Sequence, residues 1–183
     1  MKLVAIVGTN ANFSFNRLIE KFMAKHYKEQ AEIEVLEIGN LPRFNGQRSE
    51  DEAVLNFRKK VSQADGVIIS TPEYDHGITA PLKNAMEWLG ESAFDKSAMY
   101  MKPVMVLGGS YGIQGASRAQ EDMREILLSP DLTANVLPGN EVLIGHVADK
   151  FDKETGDLVD KATIVEIDQA FKNFTNFVKQ SKK

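Results

Sequence analysis

The segment Gly8-Thr9-Asn10-Ala11-Asn12-Phe13-Ser14-Phe15-Asn16 gathers small hydroxyl and amide side chains just ahead of a stretch with helical spacing. A helix start offers unpaired N–H groups and the positive end of the helix dipole, so this arrangement suits an anion. Thr9, Ser14 and Asn16 can each donate to phosphate oxygens, which makes a phosphate monoester the natural guest. The segment lacks the Lys-Ser/Thr ending of a nucleotide-hydrolysing P-loop and the G-x-G-x-x-G of a dinucleotide site. Triphosphate chemistry and a standard dinucleotide fold both lose ground. The plainer reading has Ser14 cap the helix while Asn10 and Asn12 merely turn the chain.

Two further loops carry chemistry-bearing residues. Thr71-Pro72-Glu73-Tyr74-Asp75-His76-Gly77 follows an apolar run, and its rigid backbone can present N–H and C=O groups to the edge of a flat heterocycle. The plainer alternative is a strand-to-helix turn with Asp75 as a cap. His76 has no H-E-x-x-H partner pattern, which argues against a metal. Gly108-Gly109-Ser110-Tyr111-Gly112 fits the G-x-S-x-G of a hydrolase nucleophile elbow, but the next helical pattern begins only near Ala116. His146 is the one downstream base, Glu141 or Asp131 the available acid, and no H-G-G-G oxyanion segment occurs. A purely structural glycine-rich turn is the third reading. Asp152-Lys153-Glu154-Thr155-Gly156-Asp157 resembles a calcium loop faintly, but its Gly is misplaced, and a solvated turn is expected.

The elements that must position these loops alternate between β-branched runs and amphipathic stretches, which implies βαβ units and a parallel sheet. Strands are expected at residues 3–7, 32–38, 67–71, 103–107 and 142–144. Helices are expected at 15–27 behind Ser14, at 50–64 with Val54, Leu55, Phe57 and Val61 inward, at 79–89 with Pro81 in the first turn, and at 116–128. A last helix over residues 160–179 puts Ile164, Ile167, Phe171, Phe174 and Val178 on one stripe. The expected architecture is α/β: a flavodoxin-like three-layer sandwich on a five-stranded parallel sheet of order 2-1-3-4-5, in a single domain. Its ligand site falls where loops leave the carboxyl ends of the strands, which are the loops singled out above. The 183 residues are 43% hydrophobic and 26% charged, enough to bury a core. Cys is 0, which removes thiolate metal sites and thiol nucleophiles. A net charge of −4 argues against a nucleic-acid surface, and no segment is apolar enough to span a membrane, so a cytoplasmic protein is expected. A receiver-domain reading fails because the third strand ends in Ser70-Thr71-Pro72, without a phosphorylatable Asp.

Thr71-Pro72-Glu73-Tyr74-Asp75-His76, with Pro81-Leu82-Lys83-Asn84-Ala85 and Trp88, resembles the signature of the NADPH-dependent FMN reductase family. Gly8-Thr9 with Ser14-Phe15-Asn16-Arg17 is similar to that family's phosphate loop, and the segment from Lys102-Pro103 to Arg124 follows its fourth strand and helix. The resemblance implies non-covalent FMN, with Thr9, Ser14, Phe15 and Asn16 at its phosphate and Pro72, Glu73, Tyr74, Asp75 and His76 along its ring. Gly109, Ser110 and Tyr111 would cover the other side. It also implies hydride transfer from NAD(P)H to FMN and on to a quinone, azo compound, free flavin or metal oxyanion, in a homodimer or homotetramer. No side chain need act as acid or base; Tyr74 and Tyr111 would steer substrate. The family commonly has Arg where this chain has Ala11, so phosphate affinity would rest on N–H groups, hydroxyls and nearby Arg17. Asp75 stands where the family usually has Asn. Arg118 and Gln120 would join subunits or lie on a solvated helix face. An electron-carrying flavodoxin is the alternative on the same fold, and a Ser110 hydrolase a more distant one.

Overall fold

Three apolar runs, at residues 3–7, 66–70 and 103–109, become the spine of the molecule because each is buried on both faces of a parallel sheet, which favours continuous apolar sequence. The computed structural model describes residues 1–47, 49, 51–91 and 95–182. Its elements run β1 (Lys2–Val7), α1 (Phe15–His26), β2 (Glu32–Leu36), α2 (Glu52–Gln63), β3 (Gly66–Ser70), α3 (Ala80–Leu89), β4 (Pro103–Gly109), α4 (Ser117–Leu127), β5 (Asn135–Val136), β6 (Leu143–Ile144) and α5 (Lys161–Ser181). The sheet order is β2-β1-β3-β4-β5 with β6 also beside β4, and every pairing is parallel. This is the flavodoxin-like order expected from the sequence.

Side chains alternate across the sheet as the pleat requires. Val4, Ile6, Val67, Ile69, Val104 and Val106 join one apolar cluster under α2, α3 and α4. Leu3, Ala5, Ile68, Met105 and Leu107 join the other, under α1 and α5. The α5 stripe packs as expected, with Ile167, Phe171, Phe174 and Val178 buried and Ile164 partly so.

Three sequence expectations change. The fifth strand is split: Asn135 and Val136 pair with Pro103 and Val104, while Leu143 and Ile144 pair with Gly108 and Gly109. Pro138-Gly139 lies between the pieces, with Gly139 at φ 61, so the ladder cannot run through. Leu55 faces outward and is 48% exposed, because it sits one residue, or about 100° of helix, past the buried Val54. The start of α2 is capped by Asp51, whose carboxylate accepts from Ala53 N–H at 2.9 Å; Glu50, where the sequence reading begins this helix, lies outside the described residues. Asp152 accepts from the N–H groups of Glu154 and Thr155 and from the Thr155 hydroxyl, which makes the 152–157 segment the expected turn.

Candidate functional site

The first loop leaves β1 at Gly8, where a Cβ would lie 2.6 Å from Ser70 O; only glycine lets β1 and β3 end this close together. Thr9 is buried, and its hydroxyl accepts from Ala11 N–H at 3.2 Å and lies 3.4 Å from Tyr74 Oη. Ser14 caps α1, accepting from Arg17 N–H at 3.3 Å, and its hydroxyl proton remains free to donate outward. Among the described residues, the N–H groups of Phe13, Ser14, Phe15 and Asn16 have no hydrogen-bond partner, so the helix start presents an anion-binding face.

Asn16 departs from its expected role as a phosphate donor. Its side chain is buried, with Nδ2 donating to Gly109 O at 3.0 Å and Oδ1 accepting from Gly109 N–H and Ser70 Oγ, both at 2.9 Å. Its amide ties α1 to β3 and β4, and only its backbone N–H faces the loop. Arg17 is likewise turned from the role of charge partner: its guanidinium pairs with Glu37, and that hydrogen bond raises its pKa. Beneath them lies Glu20, fully buried, whose Oε1 accepts from Ser70 N–H at 3.0 Å while Oε2 has no partner. Burial pushes the pKa of this carboxyl well above the ordinary range, against the opposing hydrogen bond from Ser70.

The second loop turns on a pair of reciprocal bonds, Tyr74 N–H to Gly77 O at 3.0 Å and Gly77 N–H to Tyr74 O at 3.1 Å. Asp75 and His76 between them both have positive φ, 49° and 69°, as a type I′ turn demands. Both side chains are exposed. Asp75 does not cap the next helix; Thr79 does, accepting from Leu82 N–H at 3.1 Å and donating to Gly8 O at 2.8 Å. Glu73 lines the cleft and also reaches α4. Its carboxylate accepts from Arg118 N–H and Arg118 Nη1, each at 3.1 Å. It thereby caps α4, whose own N-cap residue, Ala116, sits in the left-handed region and has no side chain able to cap.

The third loop leaves β4 where a Cβ on Gly108 would lie 2.3 Å from Thr71 O, again a backbone approach that excludes a side chain. Ser110 Oγ donates to Gly112 O at 3.0 Å and accepts from Ala116 N–H at 3.3 Å. Among the described residues no histidine ring bonds to it; His146 meets this loop through its backbone N–H, on Gly112 O. The helix begins at Ser117, with a loop between it and Ser110, so the G-x-S-x-G match is a glycine-rich turn and not a nucleophile elbow. Gln120 is fully buried and donates to Gly115 O and Val142 O, which rules out both a solvated face and a subunit contact for it in this fold.

The three loops meet in an open cleft of about 110 Å3 lined by Ser14, Phe15, Asn16, Pro72, Glu73, Tyr74, Gly109, Ser110 and Tyr111, joined by Phe13 and Val147. Thr9, Asp75 and His76 stand beside it and do not form its wall. Phe13 and Val147 were invisible as site residues: Phe13 is a lone aromatic in a polar loop, and Val147 arrives from beyond β6. Tyr74 and Tyr111 are 50% and 70% exposed at the rim, with Tyr111 edge-on to Phe15 at 5.7 Å between ring centroids. A larger hollow, about 600 Å3, lies along the outer face of α1 beside residues 155–158. The smaller cleft is the candidate, because it sits at the carboxyl ends of β1, β3 and β4 where the strand order reverses. The donor set fits a flavin monophosphate: N–H groups and a hydroxyl at a helix start for the dianion, and a backbone turn with aromatic rims for the ring.

Comparison with known proteins gives the family of the chain. The chain is 66% identical over its whole length to NADH-dependent flavin reductase subunit 2 of Lactobacillus johnsonii, covering 100% of that protein. It is 42% identical over 97% of its length to NADH:(hydroxy)cinnamate reductase subunit CrdA of Vibrio ruber, covering 87% of it. Its fold superposes on the flavoenzyme NAD(P)H:(acceptor) oxidoreductase FerB of Paracoccus denitrificans with a TM-score of 0.87 and 24% identity, covering 98% of both chains. The sequence model for NADPH-dependent FMN reductase matches residues 1–149, which include all three loops, and the chain belongs to that family.

Proposed function

We propose that this chain passes hydride from NAD(P)H by way of bound FMN to a small electrophilic acceptor, with the FMN phosphate at the start of α1 and the ring between residues 72–76 and Gly109, Ser110 and Tyr111. The observation that carries this reading is the convergence of the unpartnered N–H groups of residues 13–16 with the Pro72-Glu73-Tyr74 turn in one cleft. When bound, FMN supplies the hydride chemistry, and the protein contributes binding, orientation and electrostatics. The helix start stabilises the negative phosphate, Ser14 adds a hydroxyl donor, and the type I′ turn with the residue before it presents N–H groups of Glu73, Asp75 and His76 that have no partner among the described residues. Glu73 and Arg118 fix the turn to α4, so these donors are held in place before any ligand arrives. Tyr74 and Tyr111 shape the space above, where donor and acceptor would take turns. No side chain is needed as acid or base.

The relative sharing 66% identity is named for flavin reduction, which supports free flavin as the first acceptor to try, ahead of quinones, azo compounds and metal oxyanions. Both relatives described above are named as subunits, which supports an assembly of this chain with a second polypeptide over the homodimer or homotetramer that the family resemblance implies. Among the described residues no helix is long and apolar enough to cross a membrane. Dependence on reduced nicotinamide nucleotides supports a cytoplasmic setting. The test is NADH and NADPH oxidation by the FMN-loaded protein with free flavin, a quinone and an azo dye. Turnover that requires FMN and one of these acceptors supports the reading; reduction only by a partner redox protein would mark an electron carrier instead. Mass measurement of the assembly drawn from its native source separates a mixed complex from a homo-oligomer.

A further inference from the structure

We propose that Arg17 and Glu37 form a clamp that orients the backbone of the phosphate loop, so that Arg17 is a positioning residue and not a charge partner of the phosphate. The inference rests on the placement of the FMN phosphate at the start of α1. Arg17 is 14% exposed and all three of its nitrogens are engaged: Nε donates to Glu37 Oε1 at 2.6 Å, Nη2 to Glu37 Oε2 at 2.9 Å, and Nη1 to Ala11 O at 2.8 Å and Asn12 O at 3.4 Å. The pairing with Glu37 is two-pronged, which fixes the plane of the guanidinium as well as its position.

The consequence for the loop follows from peptide geometry. In a planar trans peptide the C=O and N–H point to opposite sides. With the Ala11 and Asn12 carbonyls drawn to Arg17, the N–H groups of Asn12 and Phe13 are turned to the side away from it. Those two N–H groups have no partner among the described residues, and they continue the row of unpartnered donors at Ser14, Phe15 and Asn16. Thr9 Oγ1 holds the Ala11 N–H at 3.2 Å, so Ala11 is fixed at both its N–H and its C=O. A run of successive backbone N–H groups turned one way is an anion-binding concavity. Glu37 lies within hydrogen-bond distance of the guanidinium and cancels most of its field, so the cation contributes direction to the loop in place of charge to the ligand. This accounts for a phosphate loop in which position 11 is alanine.

Two variants separate geometry from charge. Glu37→Gln leaves the Arg17 cation uncompensated but breaks the fork; Arg17→Lys keeps the charge but cannot hold Glu37 and two carbonyls together. The FMN-free protein is titrated with FMN and with riboflavin, which lacks the phosphate, following quenching of flavin fluorescence, with thermal melting as the check on folding. Both variants are expected to weaken FMN by about 5–30-fold, the effect of one or two misdirected donors, while riboflavin stays within about twofold of wild type. Unchanged or tighter FMN binding by Glu37→Gln overturns the clamp, since that is what a charge partner freed from its counter-ion would give. Equal weakening of both flavins overturns it too, because that is a general loss of structure. If wild type itself binds FMN no better than riboflavin, the phosphate placement fails, and the clamp with it.

Discussion

Asn16→Ala removes the knot that holds the first and third loops in register. The amide makes three buried hydrogen bonds, two to Gly109 and one to Ser70 Oγ. Each such bond contributes about 1 kcal/mol net, and alanine leaves both backbone groups of Gly109 facing a void, so the expected loss is about 3 kcal/mol. For a chain of this size each kcal/mol moves the melting point by roughly 2–4 °C, which gives a fall of about 6–12 °C. Ser70→Ala is the internal comparison: it deletes one bond and leaves Asn16 Oδ1 with its Gly109 partner, so it should lose only about 1 kcal/mol. Urea unfolding of the FMN-free proteins, with thermal melts alongside, measures both. Because Gly109 lines the cleft, Asn16→Ala should also release FMN more readily than Ser70→Ala does. A loss no greater in Asn16→Ala than in Ser70→Ala would refute the reasoning, since it would mean the Gly109 bonds contribute nothing.

Burial raises the Glu20 pKa, and the sign of its effect follows: between the ordinary glutamate pKa, about 4.3, and its own raised value the folded state holds a proton the unfolded chain has lost. Stability should therefore fall as pH rises through that window, and Glu20→Gln, which keeps an acceptor for Ser70 N–H, should flatten the slope in urea melts run from acid to neutral pH. Glu73→Ala uncaps α4 and should lose about 0.5–2 kcal/mol in the same assay, nearly all from the bond to Arg118 N–H, since the partly exposed ion pair adds little. Ser110→Ala should keep NADH oxidation within a few-fold of wild type, whereas a nucleophile would abolish turnover. Asp75→Asn keeps in the turn a side chain that tolerates positive φ and removes a negative charge beside the ring site; FMN should bind several-fold tighter by fluorescence titration.

What the sequence made legible was whatever depends on near neighbours. The runs that became β1, β3 and β4, the α5 stripe, the cap at Ser14 and the first-turn Pro81 can be read locally, because burial and helix starts impose their own short-range patterns. β5 could not be read, because two residues carry no periodicity. The Asn16 side chain looked like a phosphate donor because it sits in the loop; the partner of its amide, Gly109, is 93 residues away, and only its backbone N–H is left for an anion. The Glu73 carboxylate could not be placed from sequence for the same reason: it serves the start of a helix 45 residues on, while the residue itself lines the cleft. Gln120 read as a polar residue on an amphipathic helix, and only the split of the fifth strand creates the buried carbonyl at Val142 that it satisfies.

The central claim is that one chain holds one FMN in this cleft and lets a nicotinamide nucleotide reduce it. The most direct measurement is the visible spectrum of protein reconstituted with FMN and freed of excess by gel filtration, then treated anaerobically with NADH and with NADPH. The account predicts flavin absorbance that travels with the protein at one per chain and bleaches on adding at least one of the two nucleotides. Colourless, well-folded protein, or bound flavin that stays yellow with both, would contradict it.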